Sequence, residues 1–220
     1  MNGYRKDFIK RAILAAAGLF VFSIGEYMGL IANIGLAPWA CFAQGLCNYI
    51  PLPYGTVFTI TSVIILIIDI LIKERIGIGT ILDAVLVGTY VDLIGAVLNI
   101  PQIENTLVGI AVMIIGLFIK ALGMVIYMKA ALSCGPRDSL LIGLGKRFPK
   151  ISVGVVNMFL LAAALLVGWL LGGQVGIGTI ITIFGLGFAI DIVNRLCRFE
   201  PRDIVHEDIF TTFRRLRSRT

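Results

Sequence analysis

Six runs of the chain, at about 13–33, 54–72, 76–98, 106–128, 152–171 and 175–194, are apolar for long enough to cross a lipid bilayer. A spanning helix needs about 20 such residues. The bilayer core offers no water to backbone N–H and C=O groups, so a spanning segment must be a helix or part of a closed barrel. None of the runs alternates apolar and polar residues as a barrel strand would. The expected fold is therefore an all-α polytopic membrane protein with six transmembrane helices. Composition agrees, with 58% hydrophobic and only 15% charged residues, against about a quarter charged in soluble domains. The run after Arg11 lacks the short length and small-residue cleavage site of a signal peptide and reads as the first span.

The net charge of +6 is not spread evenly. Arg5, Lys6, Lys10 and Arg11 precede the first span, and Lys73 and Arg75 join the second to the third. Lys129, Arg137, Lys146, Arg147 and Lys150 follow the fourth, and the tail carries Arg195, Arg198, Arg202, Arg214, Arg215, Arg217 and Arg219. The loops near 35–53, 99–105 and 172–174 contain no Lys or Arg. The positive-inside rule then puts both termini in the cytoplasm. Residues 1–200 form one transmembrane domain and 201–220 a basic cytoplasmic tail. In the tail Val205, Ile209, Phe213 and Leu216 recur at helical spacing among arginines. The segment is either a basic amphipathic helix on anionic lipid headgroups or a frayed cationic end. His206 reads as a solvated surface side chain. The basic balance is explained by the membrane, so no nucleic-acid partner is expected.

The chain also repeats itself. A shift of 99 positions matches Gly77, Ile78, Gly79, Thr80, Ile81, Gly88 and Asp92 with Gly176, Ile177, Gly178, Thr179, Ile180, Gly187 and Asp191. A shift of 98 matches Gly18, Leu19, Phe20, Gly25, Ala32 and Pro38 with Gly116, Leu117, Phe118, Gly123, Ala130 and Pro136. Repeat 1 runs from about 13 to 98 and repeat 2 from about 106 to 194. Each holds three spans, so the second copy enters the membrane inverted, a plan common in transporters, with the site at the interface of the halves. After the first span of each half, Pro38 and Pro136 stand where a short helix begins. That helix is either re-entrant or interfacial. The paired Asn-Pro-Ala signature of aquaporin-type channels is absent.

The "GLAPW" and "CGPRD" turns, the two "GIGT" copies and the aspartate near the end of each third helix resemble the YczE/YitT group of bacterial integral membrane proteins, more the YczE side. The resemblance covers most of residues 10–195. It implies location and topology and supplies no catalytic residues.

Ionisable groups in hydrocarbon are costly and mark partners or water-filled cavities. Glu26, Asp92 and Lys120 lie deepest, and a Glu26–Lys120 pair is one reading, with a proton or ion relay through Glu26 or Asp92 the sharper one. Asp83 is intermediate, and Asp69 and Asp191 lie near span ends, where bases are close. With Pro38, Pro136, Arg137 and Asp138 at the two turns, Glu26, Asp92, Lys120 and Asp191 form the candidate solute or ion pathway. Gly25/Gly29 and Gly168/Gly172 are GxxxG pairs, read as close packing within one chain before a homo-oligomer seam. No HExxH, GxSxG or phosphate loop occurs. Cys41, Cys47, Cys134 and Cys197 lack zinc-site spacing and read as free thiols before a Cys41–Cys47 disulfide. No metal, cofactor or enzyme activity is expected. The leading function is a small-solute or ion transporter or channel; the alternative is a membrane-embedded accessory, regulatory or ligand-binding subunit.

The topology has a direct check. A cysteine placed at Gln102 is expected to react with an impermeant thiol reagent from outside intact cells, and one placed at Lys146 only after the cytoplasm is opened. Labelling of both from one side overturns the inverted arrangement.

Overall fold

The structure is a computed structural model and describes residues 3–200 and 207–217. Among these residues there are helices and no strands. The helices are α1 (Gly3–Ala32), α2 (Pro38–Cys47), α3 (Tyr54–Leu71), α4 (Ile78–Leu98), α5 (Thr106–Lys129), α6 (Pro136–Arg147), α7 (Val153–Leu170), α8 (Ile177–Leu196) and α9 (Ile209–Arg217). Six of them, α1, α3, α4, α5, α7 and α8, are long and apolar enough to span a membrane. The two short helices that begin at Pro38 and Pro136 are α2 and α6. Proline has no N–H to lose at a first helical position, and its fixed φ suits the helix. Polar side chains start other helices: Asn105 Oδ1 accepts from the Leu107 and Val108 N–H groups at 2.9 and 3.2 Å, and Ser152 Oγ from Val155 N–H at 3.4 Å.

The centre of the bundle is the crossing of α1 and α5. A Cβ added to Gly18 would lie 2.4 Å from Tyr127 N, and one on Gly123 2.7 Å from Gly18 O. A Cβ on Gly25 would lie 2.4 Å from Gly116 O, and one on Gly116 3.1 Å from Gly25 O. Only glycine lets the two backbones come this close. The two contacts are reciprocal: Gly18 and Gly116 are matched in the repeat, as are Gly25 and Gly123.

Other matched positions behave alike. Gly79 N–H donates to Leu132 O at 2.8 Å, and Gly178 N–H to Ile34 O at 2.8 Å. The Thr80 and Thr179 hydroxyls accept from Gly77 and Gly176 N–H at 3.3 and 3.2 Å. The links into α2 and α6 share their left-handed residues, Asn33 with Ala131 (φ 54° and 53°) and Gly35 with Ser133 (φ 109° and 107°). The short helices are exchanged between halves. Gly45 of α2 abuts Gly168 of α7, and Gly143 of α6 abuts Ile72 at the end of α3. A Lys146–Glu74 bridge of 2.5 Å closes the end of the second contact.

One matched contact differs between the halves. In the first, α3 and α4 touch through Gly55 and Gly88, where an added Cβ would lie 2.0 Å from the facing carbonyl in either direction. In the second, Gly154 of α7 and Gly187 of α8 have no atom within 4 Å of such a Cβ, and α7 and α8 do not pack on each other.

The tail helix α9 is docked rather than free. Glu207 accepts from Tyr4 Oη at 2.8 Å and from Arg11 and Arg215 at 3.1 and 2.6 Å. Burial would raise its carboxyl, but the bonds from Tyr4 and Arg11 and the charges of Arg11 and Arg215 hold it below the usual carboxylate range. Arg11 also donates to Ala130 O and Ala131 O, both at 2.7 Å, and Ile209 N–H to Ile76 O at 2.9 Å. Of the tail stripe read from the sequence, Val205 lies outside the described residues, as does His206. All four cysteines are free thiols.

The glycine crossing makes a contrast of two variants informative. Gly25→Val is expected to cost about 1–3 kcal/mol or more through overpacking, read as a lowered melting temperature in detergent. Gly187→Ala meets open space and is expected to be neutral or slightly stabilising.

Candidate binding cavity

Beside the α1–α5 crossing lies a cavity of about 440 Å³, bounded by α1, α3, α4, α5, α7, α8 and the N-terminal parts of α2 and α6. Another hollow, of about 470 Å³ between α3, α4 and α9, carries its bases on the exposed Lys73 and Arg75. Of these two, the first gathers its charge on α1, α4, α5 and the start of α6.

On its wall Glu26 of α1 and Lys120 of α5 form an ion pair, with the residues 5% and 9% exposed. Tyr54 Oη donates to the other Glu26 oxygen at 3.2 Å, and the Lys120 ammonium stands 4.9 Å from the Phe22 ring centre. Glu26 and Lys120 are not matched positions, yet the glycine contacts on either side bring them together. Both charges are thereby met, which a buried pair requires.

The first turn of α6 supplies the second group. The Arg137 guanidinium lies 4.0 Å from the Phe58 ring centre and 5.4 Å from that of Trp39. It makes one long bond, to Ser62 Oγ at 3.4 Å, and its buried Nε has no partner. Asp138 and Asp83 line the same cavity. Gly135 makes room for Asp83, since a Cβ there would lie 3.2 Å from its carboxylate atoms. Among the described residues Arg137, Asp138 and Asp83 form no ion pair within 4.0 Å.

The cavity is built from matched positions of unlike chemistry. Trp39 is matched with Arg137, Ala40 with Asp138, Thr182 with Asp83 and Phe58 with Asn157, and all eight line it. Charge is collected around α6, and the wall near α2 is apolar or aromatic. Leu160, Leu161, Ile183 and Leu186 extend the apolar side.

Of the pathway residues read from the sequence, Glu26, Lys120, Pro38, Arg137 and Asp138 meet here, and Pro136 starts α6 beside them without lining the cavity. Asp92 and Asp191 do not. Asp92 is used at the start of α3, accepting from Gly55 N–H at 2.6 Å and Thr56 Oγ1 at 2.8 Å. A carboxylate is favoured at a helix N-terminus, so this acid is held by structure. Asp191 is exposed on α8, because α7, whose start would be its matched partner, stands away. Asp69 does not reach a base either. It is fully buried on α3, with no hydrogen bond to either oxygen. Sequence reasoning missed Phe58, Asn157 and Thr182. The repeat alignment carried the signal, since each is matched with another cavity residue.

Six apolar helices around an interior cavity lined with charged side chains define a multi-pass helical membrane protein. The chain belongs to a family of unknown function (DUF6198), whose profile matches residues 9–195. It is similar to an uncharacterized protein of Haemophilus influenzae, 28% identical over 182 residues, covering 81% of this chain and 82% of that one. It is also similar to the uncharacterized membrane protein YczE of Bacillus subtilis, 26% identical over 180 residues, covering 81% and 82%. The uncharacterized protein YyaS of the same organism is 28% identical over 172 residues, covering 76% and 83%. No solved structure matches.

The ion pair predicts a sign pattern. Glu26→Gln or Lys120→Met alone leaves one buried charge without its partner and is expected to cost about 3–5 kcal/mol. The double variant should recover most of that loss, as measured by melting in detergent.

Proposed function

We propose that this protein is a transporter or channel for a small solute in the bacterial cytoplasmic membrane, built from two inverted three-span repeats with the solute site in the cavity between them. The observation that carries the reading is the unpaired set Arg137, Asp83 and Asp138 inside an apolar bundle. Charges there are expensive and are retained where they meet a solute or water. The reciprocal contacts of matched residues support the repeat, and the one-sided basic loops support cytoplasmic termini. The arginines of α9 suit anionic headgroups on that face. The reading assigns no catalysis and needs no cofactor.

The wall chemistry narrows the solute. A guanidinium with unfilled donors suits a carboxylate, two unpaired carboxylates suit an ammonium, and the apolar side suits a hydrocarbon body. A small zwitterion with an apolar body, such as an apolar amino acid, satisfies all three.

Leucine, leucinamide and N-acetylleucine share that body and separate the charges. Proteoliposomes are expected to take up leucine saturably, with both analogues competing poorly and Arg137→Gln abolishing uptake. Uptake of leucinamide in preference to leucine would replace the zwitterion with a cation. No saturable flux of any amino acid or amine would sink transport. Binding without flux would favour the second reading, an accessory or ligand-binding subunit, to which the exposed Phe210 and Phe213 on docked α9 lend support.

A further inference from the structure

The acid kept in both copies of the repeat has different surroundings in each. In the first half Gly88 and Asp92, one turn apart on α4, engage the start of α3: Gly88 meets Gly55, and Asp92 takes the Gly55 N–H and the Thr56 hydroxyl. In the second half Gly187 and Asp191 have the same spacing on α8, and Gly154 begins α7 as Gly55 begins α3. Yet Gly154 and Gly187 face open space, Asp191 is exposed, and the cavity extends between the two helices.

We propose that Asp92 and Asp191 are alternating gate latches. In this structure the α3–α4 gate is shut by Asp92 and the α7–α8 gate is open. In the other state α7 closes on α8, Gly154 meets Gly187, Asp191 binds the start of α7, and Asp92 lets go of α3. The glycines at Gly154 and Gly187 are then explained: neither is needed for space here, and both are needed when the gate shuts. The glycines and the aspartate stand in both halves, so the backbone contact made in one is available to the other; Val155 stands where Thr56 does, so Asp191 would take the Gly154 N–H alone. A packed glycine crossing is made or unmade as a unit, which suits a two-state element. Gly154 follows the basic loop of Lys146, Arg147 and Lys150, so the open gate faces the cytoplasm. This inference rests on the transporter reading for its purpose, but its geometry is tested separately.

Val153 at the start of α7 and Leu196 at the end of α8 are exposed and lie outside the glycine contact. In a chain freed of its four native cysteines, nitroxide labels on Val153→Cys and Leu196→Cys are expected to give two distances in membranes, the shorter being the shut gate. Asp92→Asn weakens the shut α3–α4 gate and should raise the ratio of short to long distance about tenfold; Asp191→Asn should lower it about tenfold, as for loss of a charged hydrogen bond. Asp191→Asn should leave the melting temperature unchanged, which separates gating from folding. A single distance, or a ratio indifferent to both substitutions, overturns the latches. The expected shifts without flux of any solute would sustain the latches and remove transport; flux with an indifferent ratio would do the reverse.

Discussion

The rest of the architecture depends on the closeness of α1 and α5. Gly18, Gly25, Gly116 and Gly123 remove side chains at two levels of the crossing, and the backbones meet there. In lipid there is little hydrophobic gain from helix association, so packing at short range is what holds such a crossing. Between the two levels lie Phe22 and Lys120, and Glu26 follows Gly25 directly on α1. The same approach that joins the halves therefore makes the ion pair and one side of the cavity.

The exchange of short helices adds the second constraint. α2 packs more on α7 than on its own half's α3, and α6 more on α3 than on its own half's α7, so the short helices tie the two halves together. Their first turns bring Trp39 and Arg137 within cation–π range at the cavity. Matched positions thus become neighbours around a shared hollow. Because the two copies have diverged, the hollow is polar near α6 and apolar near α2. On the proposed reading both features matter: the repeat supplies the enclosing shape, and divergence supplies direction for a solute with unlike ends.

The sequence repeat also carries an asymmetry that is not chemical. Gly55 and Gly154 are matched, as are Gly88 and Gly187, and one pair touches while the other does not. On the gate proposal the two arrangements are states of one element, whose populations modest differential binding would shift.

By itself the sequence determined the six spans, because apolar runs of that length in lipid have almost no alternative to helix. It also determined the two proline-started helices, which depend on local residue identity, and it carries the matched positions on which the proposed inverted arrangement rests. Glu26, Lys120, Arg137 and Asp138 were legible as candidates because a charge in an apolar run stands out. Tertiary structure decided which charges share a space. Depth along a span does not reveal the direction a side chain faces, so Asp92, as deep as any, turned out to cap α3, whereas Asp83 reached the cavity. Phe58, Asn157 and Thr182 carry no charge to mark them and gain their place only from the folding of α3, α7 and α8 around the hollow. Tertiary structure alone also decided that α3 and α4 touch while α7 and α8 stand apart, because matched glycines permit a close crossing without compelling one.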